Sequence, residues 1–239
     1  MRVGFDASAL GAQTTGAGEY QRQLLATLPD ADPAVELVVY TARGAPMVVG
    51  GSATQHEMPW ATGNRARRIL QGGWAWRRRW RSDRLDLLHV PFYYLPPGAP
   101  RRSVVTIYDA RFLRYPETYQ RARHAFLRTA VPWSLRRAGH IITISEFTKR
   151  ELVELLGLPP EKISVTLLAP RAEFVRVEDE ARLAQVRARY GLPARFVLST
   201  STLEPRKNLS RAVEAFAELR RRGVPHSLVL AGVRHFGTS

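Results

Sequence analysis

Phe196-Val197-Leu198-Ser199-Thr200-Ser201-Thr202-Leu203-Glu204-Pro205-Arg206-Lys207-Asn208-Leu209 reads as a short buried strand, a turn and the opening of a helix. Leu209, Ala212, Val213, Phe216 and Leu219 then recur at i, i+3, i+4, i+7 and i+10, one face of that helix. Arg206 and Lys207 therefore stand just before a helix N-terminus. Cations there oppose the helix dipole at a cost of a few tenths to about 1 kcal/mol. A bound anion would offset that cost, because helix N-termini bind phosphates. A solvated basic turn is the equal alternative on spacing alone.

Outward from that stretch, strand-like and helix-like runs alternate. Strands are expected at Arg2–Asp6, Glu36–Tyr40, Leu85–Val90, Ser103–Ile107, His140–Ile144, Ile163–Leu168, Phe196–Thr200 and Ser227–Ala231. Helices are expected at Tyr20–Leu28, roughly Arg65–Arg81, Tyr119–Arg137, Glu146–Leu156, Glu178–Tyr190 and Leu209–Arg222. Such alternation specifies an open α/β fold, a parallel sheet covered by helices. Sheets of this kind bind ligands at the carboxyl ends of their strands. A break near Ala169–Val177 divides the chain into an N-terminal domain at 1–175, a linker helix at 176–195 and the beginning of a second domain at 196–239.

Composition narrows the class. The 239 residues are 45% hydrophobic, enough for a buried core. Cysteine is absent, so disulfides and thiolate metal sites are excluded and a reducing, cytoplasmic setting is expected. Met1-Arg2 leads straight into a strand-like start rather than a signal peptide, and no apolar run reaches membrane-span length. The formal net charge is +15, and 33 of the 36 basic residues are arginine, the bias of a GC-rich coding genome. What remains of that signal is a preference for anionic partners.

Several motifs carry candidate chemistry. Gly11 to Tyr20 follows the first strand and opens a helix, so that Gly16 and Gly18 would let backbone approach a ligand. The pattern is not G-x-G-x-x-G, which counts against a dinucleotide site. Leu87-Leu88-His89-Val90-Pro91 and Thr106-Ile107-Tyr108-Asp109 place polar groups at the ends of apolar strands. A satisfied turn residue is the commoner explanation of such groups. Asp109 is the better candidate, because a carboxylate at a cleft edge can hold a sugar hydroxyl or orient a base. Ser145 is a helix N-cap with Thr148 three residues on, and capping accounts for it without a catalytic role. Trp74, Trp76 and Trp80 interleave with Arg77, Arg78, Arg79 and Arg81. This stretch suits either a membrane-surface helix or, as the favoured alternative, a buried face shared with Ile69 and Gly73.

Taken in order, these segments resemble glycosyltransferase family 4, enzymes of the GT-B fold. The resemblance rests on Asp6-Ala7, Gly16-Ala17-Gly18-Glu19-Tyr20, Leu88-His89-Val90-Pro91, Val105-Thr106-Ile107-Tyr108-Asp109, His140 to Phe147 and, most specifically, Thr202 to Leu209. It implies two Rossmann-like lobes, each a parallel sheet with helices on both faces. It implies transfer of a hexose from a nucleotide-diphosphate sugar to a glycan or lipid-linked acceptor, with retention, without metal and without a cofactor. Arg206 and Lys207, with Gly16 and Gly18, would bind the donor. Asp109 would act in catalysis, and His89, Tyr108 and Glu19 would line the acceptor and sugar pocket. The site would lie in the cytoplasm, in peripheral contact with the anionic inner face of the membrane, and nucleic acid is not an expected partner.

The chain departs from the family pattern at Tyr108, where histidine is common, at Ser201, where glycine is common, and at Ala169-Pro170, where Asn-Gly is common. The family's paired donor-binding glutamates have no counterpart here. The expectation is therefore a truncated second lobe and little or no turnover by this chain alone. Two rival readings stand beside it: a non-catalytic acceptor lobe or scaffold that pairs with another chain, and a basic nucleic-acid-binding protein. The second ranks low, because the charge is spread along the chain rather than clustered.

Overall fold

The structure is a computed structural model that describes residues 1–8, 10, 16–45, 53–61, 65–203 and 205–232, with the backbone alone at 65–70 and 205. The start of the glycine loop at 11–15, the side chain of Ile69 and all of Glu204 lie outside what is described. The elements are β1 (Arg2–Ala7), α1 (Gly16–Ala31), β2 (Glu36–Arg43), β3 (Thr54–Ala61), α2 (Arg65–Ser82), β4 (Leu87–Val90), β5 (Ser103–Ile107), α3 (Arg111–Arg114) and α4 (Arg121–Arg137). They continue with β6 (His140–Thr143), α5 (Glu146–Leu156), β7 (Ile163–Val165), α6 (Glu180–Tyr190), β8 (Phe196–Thr200), α7 (Leu209–Arg221) and β9 (Ser227–Ala231). Two compact units result, Met1–Ala169 and Pro170–Ser239.

The first unit is built on a seven-stranded parallel sheet in the order β3-β2-β1-β4-β5-β6-β7. The chain steps outward from β1 to β3, crosses back to β4, and then steps the other way to β7. Right-handed crossovers put α1 on one face and α2, α4 and α5 on the other. The packing agrees. Val3, Phe5, Ala7, Leu37 and Val39 form one core with Leu25 of α1. Val38, Tyr40, Leu88, Val105 and Ile141 form the other with Trp76, Leu135 and Leu152. Burial on both faces is why β2 reads as a continuous apolar run. Ser145 caps α5 as expected, its Oγ accepting the Thr148 backbone N–H at 3.1 Å, and Gly157 closes that helix at φ 62°.

Strand β3 was not expected. Only Met58 and Trp60 alternate inward, in a polar segment that also holds Pro59. Proline is tolerated there because β3 is an edge strand, and the ladder to β2 shifts register between Thr41 and Arg43. At the other edge β7 stops at Val165, three residues short of the sequence expectation, and Leu167 and Leu168 are exposed. The Trp–Arg helix divides its aromatics: Trp76 is fully buried, Trp80 packs against the core and Trp74 is exposed.

In the second unit β8 and β9 pair in parallel, from Phe196 opposite Ser227 to Thr200 opposite Ala231, with α7 as the crossover. Asp179 caps α6 by accepting the Ala181 and Arg182 backbone N–H groups at 2.9 and 3.1 Å. Val197, Leu198 and Leu230 are about half exposed, so apolar side chains face outward from this small sheet.

Candidate active site

Sheet order reverses between β1 and β4, and the crevice of a doubly wound sheet opens at the carboxyl ends of such strands. That edge carries Asp6 near the end of β1 and Ser8 after it, Pro91 to Tyr94 after β4, Tyr108 and Asp109 after β5, and the first turn of α1. Asp6 is buried and accepts both the backbone N–H and the hydroxyl of Ser8. Gly16 is the first residue of α1 and lies open, with no atom within 4 Å of where a Cβ would stand, whereas Gly18 is buried two residues on. Glu19 sits in the same turn, accepting from Gln23 Nε2 at 2.9 Å and pairing with Arg22 at 3.6 Å. A carboxylate in the first turn is favoured by the helix dipole.

His89 lies beneath this rim. It is 7% exposed, its ring meets Phe5 edge-on at 5.1 Å, and its Nε2 is 2.9 Å from Thr106 Oγ1. Burial pushes its pKa down to about 4, so the ring is neutral at pH 7. The Thr106 side chain also reaches the Tyr20 hydroxyl, whose pKa burial raises. With His89 Nε2–H donating to Thr106 Oγ1, the threonine hydroxyl proton is left to turn toward Tyr20.

Tyr108 donates its hydroxyl to Pro91 O at 2.9 Å and stands edge-on to Tyr20 at 5.7 Å and to Tyr93 at 6.1 Å. Burial raises its pKa, so it is a neutral wall. Gln21 directs Nε2 toward Pro91 O at 3.4 Å, and its buried Oε1 has no donor among the described residues. Asp109 is held from two sides. Tyr93 donates its hydroxyl to Oδ2 at 2.9 Å, and the Arg111 backbone N–H donates to Oδ1 at 3.2 Å. Each carboxylate oxygen retains a further lone pair for a substrate hydroxyl. Burial, and then the same carboxylate, push the Tyr93 pKa up.

The structure thus gathers Gly16, Gly18, Glu19, Tyr108 and Asp109 at one edge of the first unit, with His89 below them. Sequence reasoning missed Tyr93, Gln21, Tyr20 and Arg111. The run Phe92-Tyr93-Tyr94, three aromatics at the end of a strand, was the available signal. A wider groove of about 860 Å³ lies at the other end of the sheet, at Arg101, Arg137 and Gly139 before β5 and β6. It is larger, but it is remote from the edge where the polar groups converge. Arg206 and Lys207 belong to the second unit. They lie exposed on a single 3-10 turn, Pro205–Lys207, directly ahead of α7. Asn208, at φ 51°, is the residue before α7, and its own side chain makes no cap hydrogen bond. Among the described residues no cluster of three or more His, Asp or Glu side chains could hold a metal.

A parallel sheet doubly wound about β1 and β4, with its polar groups at the carboxyl edge, defines a Rossmann-like lobe. The chain belongs to Glycosyltransferase Family 4, whose family model matches residues 14–167. It is 30% identical over 165 residues to the O-antigen chain mannosyltransferase B of Escherichia coli, a match spanning 67% of this chain and 42% of that protein. It is 30% identical over 132 residues to the alpha-D-kanosaminyltransferase of Streptomyces kanamyceticus, spanning 54% of this chain and 34% of that one. The chain therefore aligns with less than half the length of either relative. Among solved structures it is similar to Anabaena Alr3699/HepE in complex with UDP and glucose, at 16% identity and TM-score 0.64 over 98% of this chain and 62% of that one. It is also similar to WaaG, a glycosyltransferase involved in lipopolysaccharide biosynthesis, with TM-score 0.58 and 15% identity over 95% of this chain and 62% of that chain. At these identities the two structures speak to the fold.

Proposed function

We propose that the chain carries the acceptor side and the diphosphate-binding turn of a glycosyltransferase that uses a sugar-nucleotide donor. The observation that carries this is the pair Arg206 and Lys207, set on a tight turn before the start of α7 in a family 4 chain. Two cations and the N–H groups at the start of α7 together suit a diphosphate, and they suit it more as charge builds on the leaving group. They also supply positive charge where other enzymes use a metal, so the reaction proposed is metal-independent. The product would keep the anomeric configuration of the donor. Asp109 would accept a sugar hydroxyl, Tyr108 would wall the pocket, and neutral His89 would position Thr106 and Tyr20 rather than carry charge.

Titration with UDP and GDP tests the donor site. The Arg206→Ala and Lys207→Ala variants are each expected to weaken binding about tenfold or more, the size of one lost charge-assisted hydrogen bond. Equal affinity for the diphosphates in the double variant would remove the proposal. Because the family's paired glutamates have no counterpart in these residues, this polypeptide is expected to bind a diphosphate yet turn over little. Sustained transfer by the polypeptide alone, from a labelled nucleotide sugar, would overturn that part.

The acceptor proposed is a glycan or a lipid-linked saccharide, which places the work beside a membrane. Among the described residues no helix is long and apolar enough to cross one. Exposed Trp74, with the Arg78 guanidinium 5.5 Å from its ring and Arg77 and Arg81 alongside, offers a surface for anionic lipid. Trp74→Ala is expected to reduce co-sedimentation with phosphatidylglycerol vesicles and to leave folding unchanged.

A further inference from the structure

We propose that the aromatic cavity beside Asp109 binds the acidic part of the acceptor, a single sugar ring bearing a carboxylate or a phosphate. This rests on the glycosyltransferase reading and adds the acceptor's chemical class to it. The cavity measures about 300 Å³, at the small end for small-molecule sites, with room for one ring rather than a chain. Phe92, Tyr94 and Phe126 form its apolar walls, with Tyr94 and Phe126 edge-to-face at 5.1 Å. Aromatic faces of this kind pack well against the C–H face of a sugar.

The polar groups define the charge. Arg111 and Arg123 both line the cavity and flank one ring, their guanidinium carbons 4.9 and 5.6 Å from the centre of Tyr119. Arg111 also donates Nε–H to the Tyr119 hydroxyl at 3.1 Å, which fixes its fork. Arg114, by contrast, pairs with Glu151 at 2.9 Å. Among the described residues neither Arg111 nor Arg123 is in an ion pair; both are held against tyrosine instead. Arg111, held by Tyr119, and the exposed Arg123 are accompanied by one nearby carboxylate, Asp109, which Tyr93 and the Arg111 backbone already orient. The balance is one positive charge in excess, which suits one negative group on the ligand. Arginine forks match carboxylate and phosphate oxygens in pairs, and an aromatic surround lowers the competition from water. A sugar ring seated here would lie beside the free lone pairs of Asp109, where a hydroxyl could be gripped.

Ligand-observed NMR titration of the protein with glucuronate, glucose 6-phosphate, glucose and benzoate tests this at low salt. The two acidic sugars separate the carboxylate source from the phosphate source. At least one of them is expected to bind about tenfold or more tighter than glucose and than benzoate. Arg123→Gln, a change at an exposed side chain, is expected to bring that affinity down to the level of glucose while binding of UDP and GDP stays as it was. Glucose binding as tightly as both acidic sugars would overturn the requirement for charge. Benzoate binding as tightly as the best acidic sugar would overturn the assignment to a sugar, and no effect of Arg123→Gln would overturn the site. If the acidic sugars fail while diphosphate binding persists and depends on Arg206, this inference alone falls. If diphosphate binding fails as well, the glycosyltransferase reading falls with it.

Discussion

Gly98→Ala is expected to destabilise the first unit by about 3 kcal/mol or more and to lower its Tm by roughly 6–12 °C. Pro96 to Ala99 form a β-turn in which the Ala99 N–H donates to Pro96 O at 3.1 Å. Proline stands at the second position and Gly98, at φ 82°, at the third, the arrangement of a type II turn. An L residue pays about 1–2 kcal/mol for that backbone region. Here a second cost is larger. A Cβ on Gly98 would stand 2.3 Å from Gly73 O and 3.0 Å from Gly73 Cα, main-chain atoms of α2 that cannot swing aside. The turn and the helix would have to separate, disturbing the packing around Trp76. Gly157→Ala isolates the first cost. Gly157 has φ 62° with nothing within 4 Å, so about 1 kcal/mol is expected there. Gly73→Ala is the reverse case. Its Cβ would meet Pro97 at an ordinary 3.5 Å, and alanine is the better helix former, so the variant should be neutral or slightly stabilised. Thermal unfolding of the three variants checks the order. A Gly98→Ala protein as stable as Gly157→Ala would show that the turn does not bear on α2 as described.

The second large effect is a loss of stability in mild acid that traces to His89. Its pKa in the folded chain is about 4, below the free value of 6.5, because burial disfavours the charged ring. Between those values the unfolded chain takes up a proton and the folded chain does not, so stability rises with pH across that window. The stability that neutral His89 secures is therefore complete above about pH 6.5, and it is lost as pH falls through 4. The difference corresponds to about 3 kcal/mol. Urea unfolding at intervals from pH 7 to pH 4 should show the loss, and His89→Leu should flatten that part of the profile even though it costs packing at neutral pH. A His89 ring that titrates near 6.5 by NMR would end this account. Functionally, a ring that stays neutral at pH 7 cannot stabilise an anion by charge. In the proposed reaction its contribution would be to position Thr106 and, beyond it, Tyr20 at the rim.

Much of the fold was legible because its signals are local. Period-two and period-3.6 patterns identify strands and helices over a few residues, and the apolar run at Glu36–Tyr40 marked a strand that the structure extends to Arg43 and buries on both faces. Ser145 declared the start of α5 in the same way. Strand β3 was hidden because an edge strand needs only one good neighbour and so tolerates Pro59, His56 and Glu57. The aromatic cavity was hidden for another reason. Phe92, Arg111, Tyr119 and Phe126 are scattered over thirty-five residues, and nothing in their spacing says that one turn of chain brings them around a single space.

By itself, then, the sequence determined the alternation of strands and helices, the family, and the placing of Arg206 and Lys207 ahead of α7, because each is written in neighbouring residues. Tertiary structure alone decided what each polar side chain became. Asp109 acquired Tyr93 as its partner, His89 became a buried neutral ring, and Gly73 became the seat of a turn rather than part of a hydrophobic stripe. Those outcomes depend on desolvation and on contacts between residues distant in the chain, quantities that exist only once the sheet has closed over its cores.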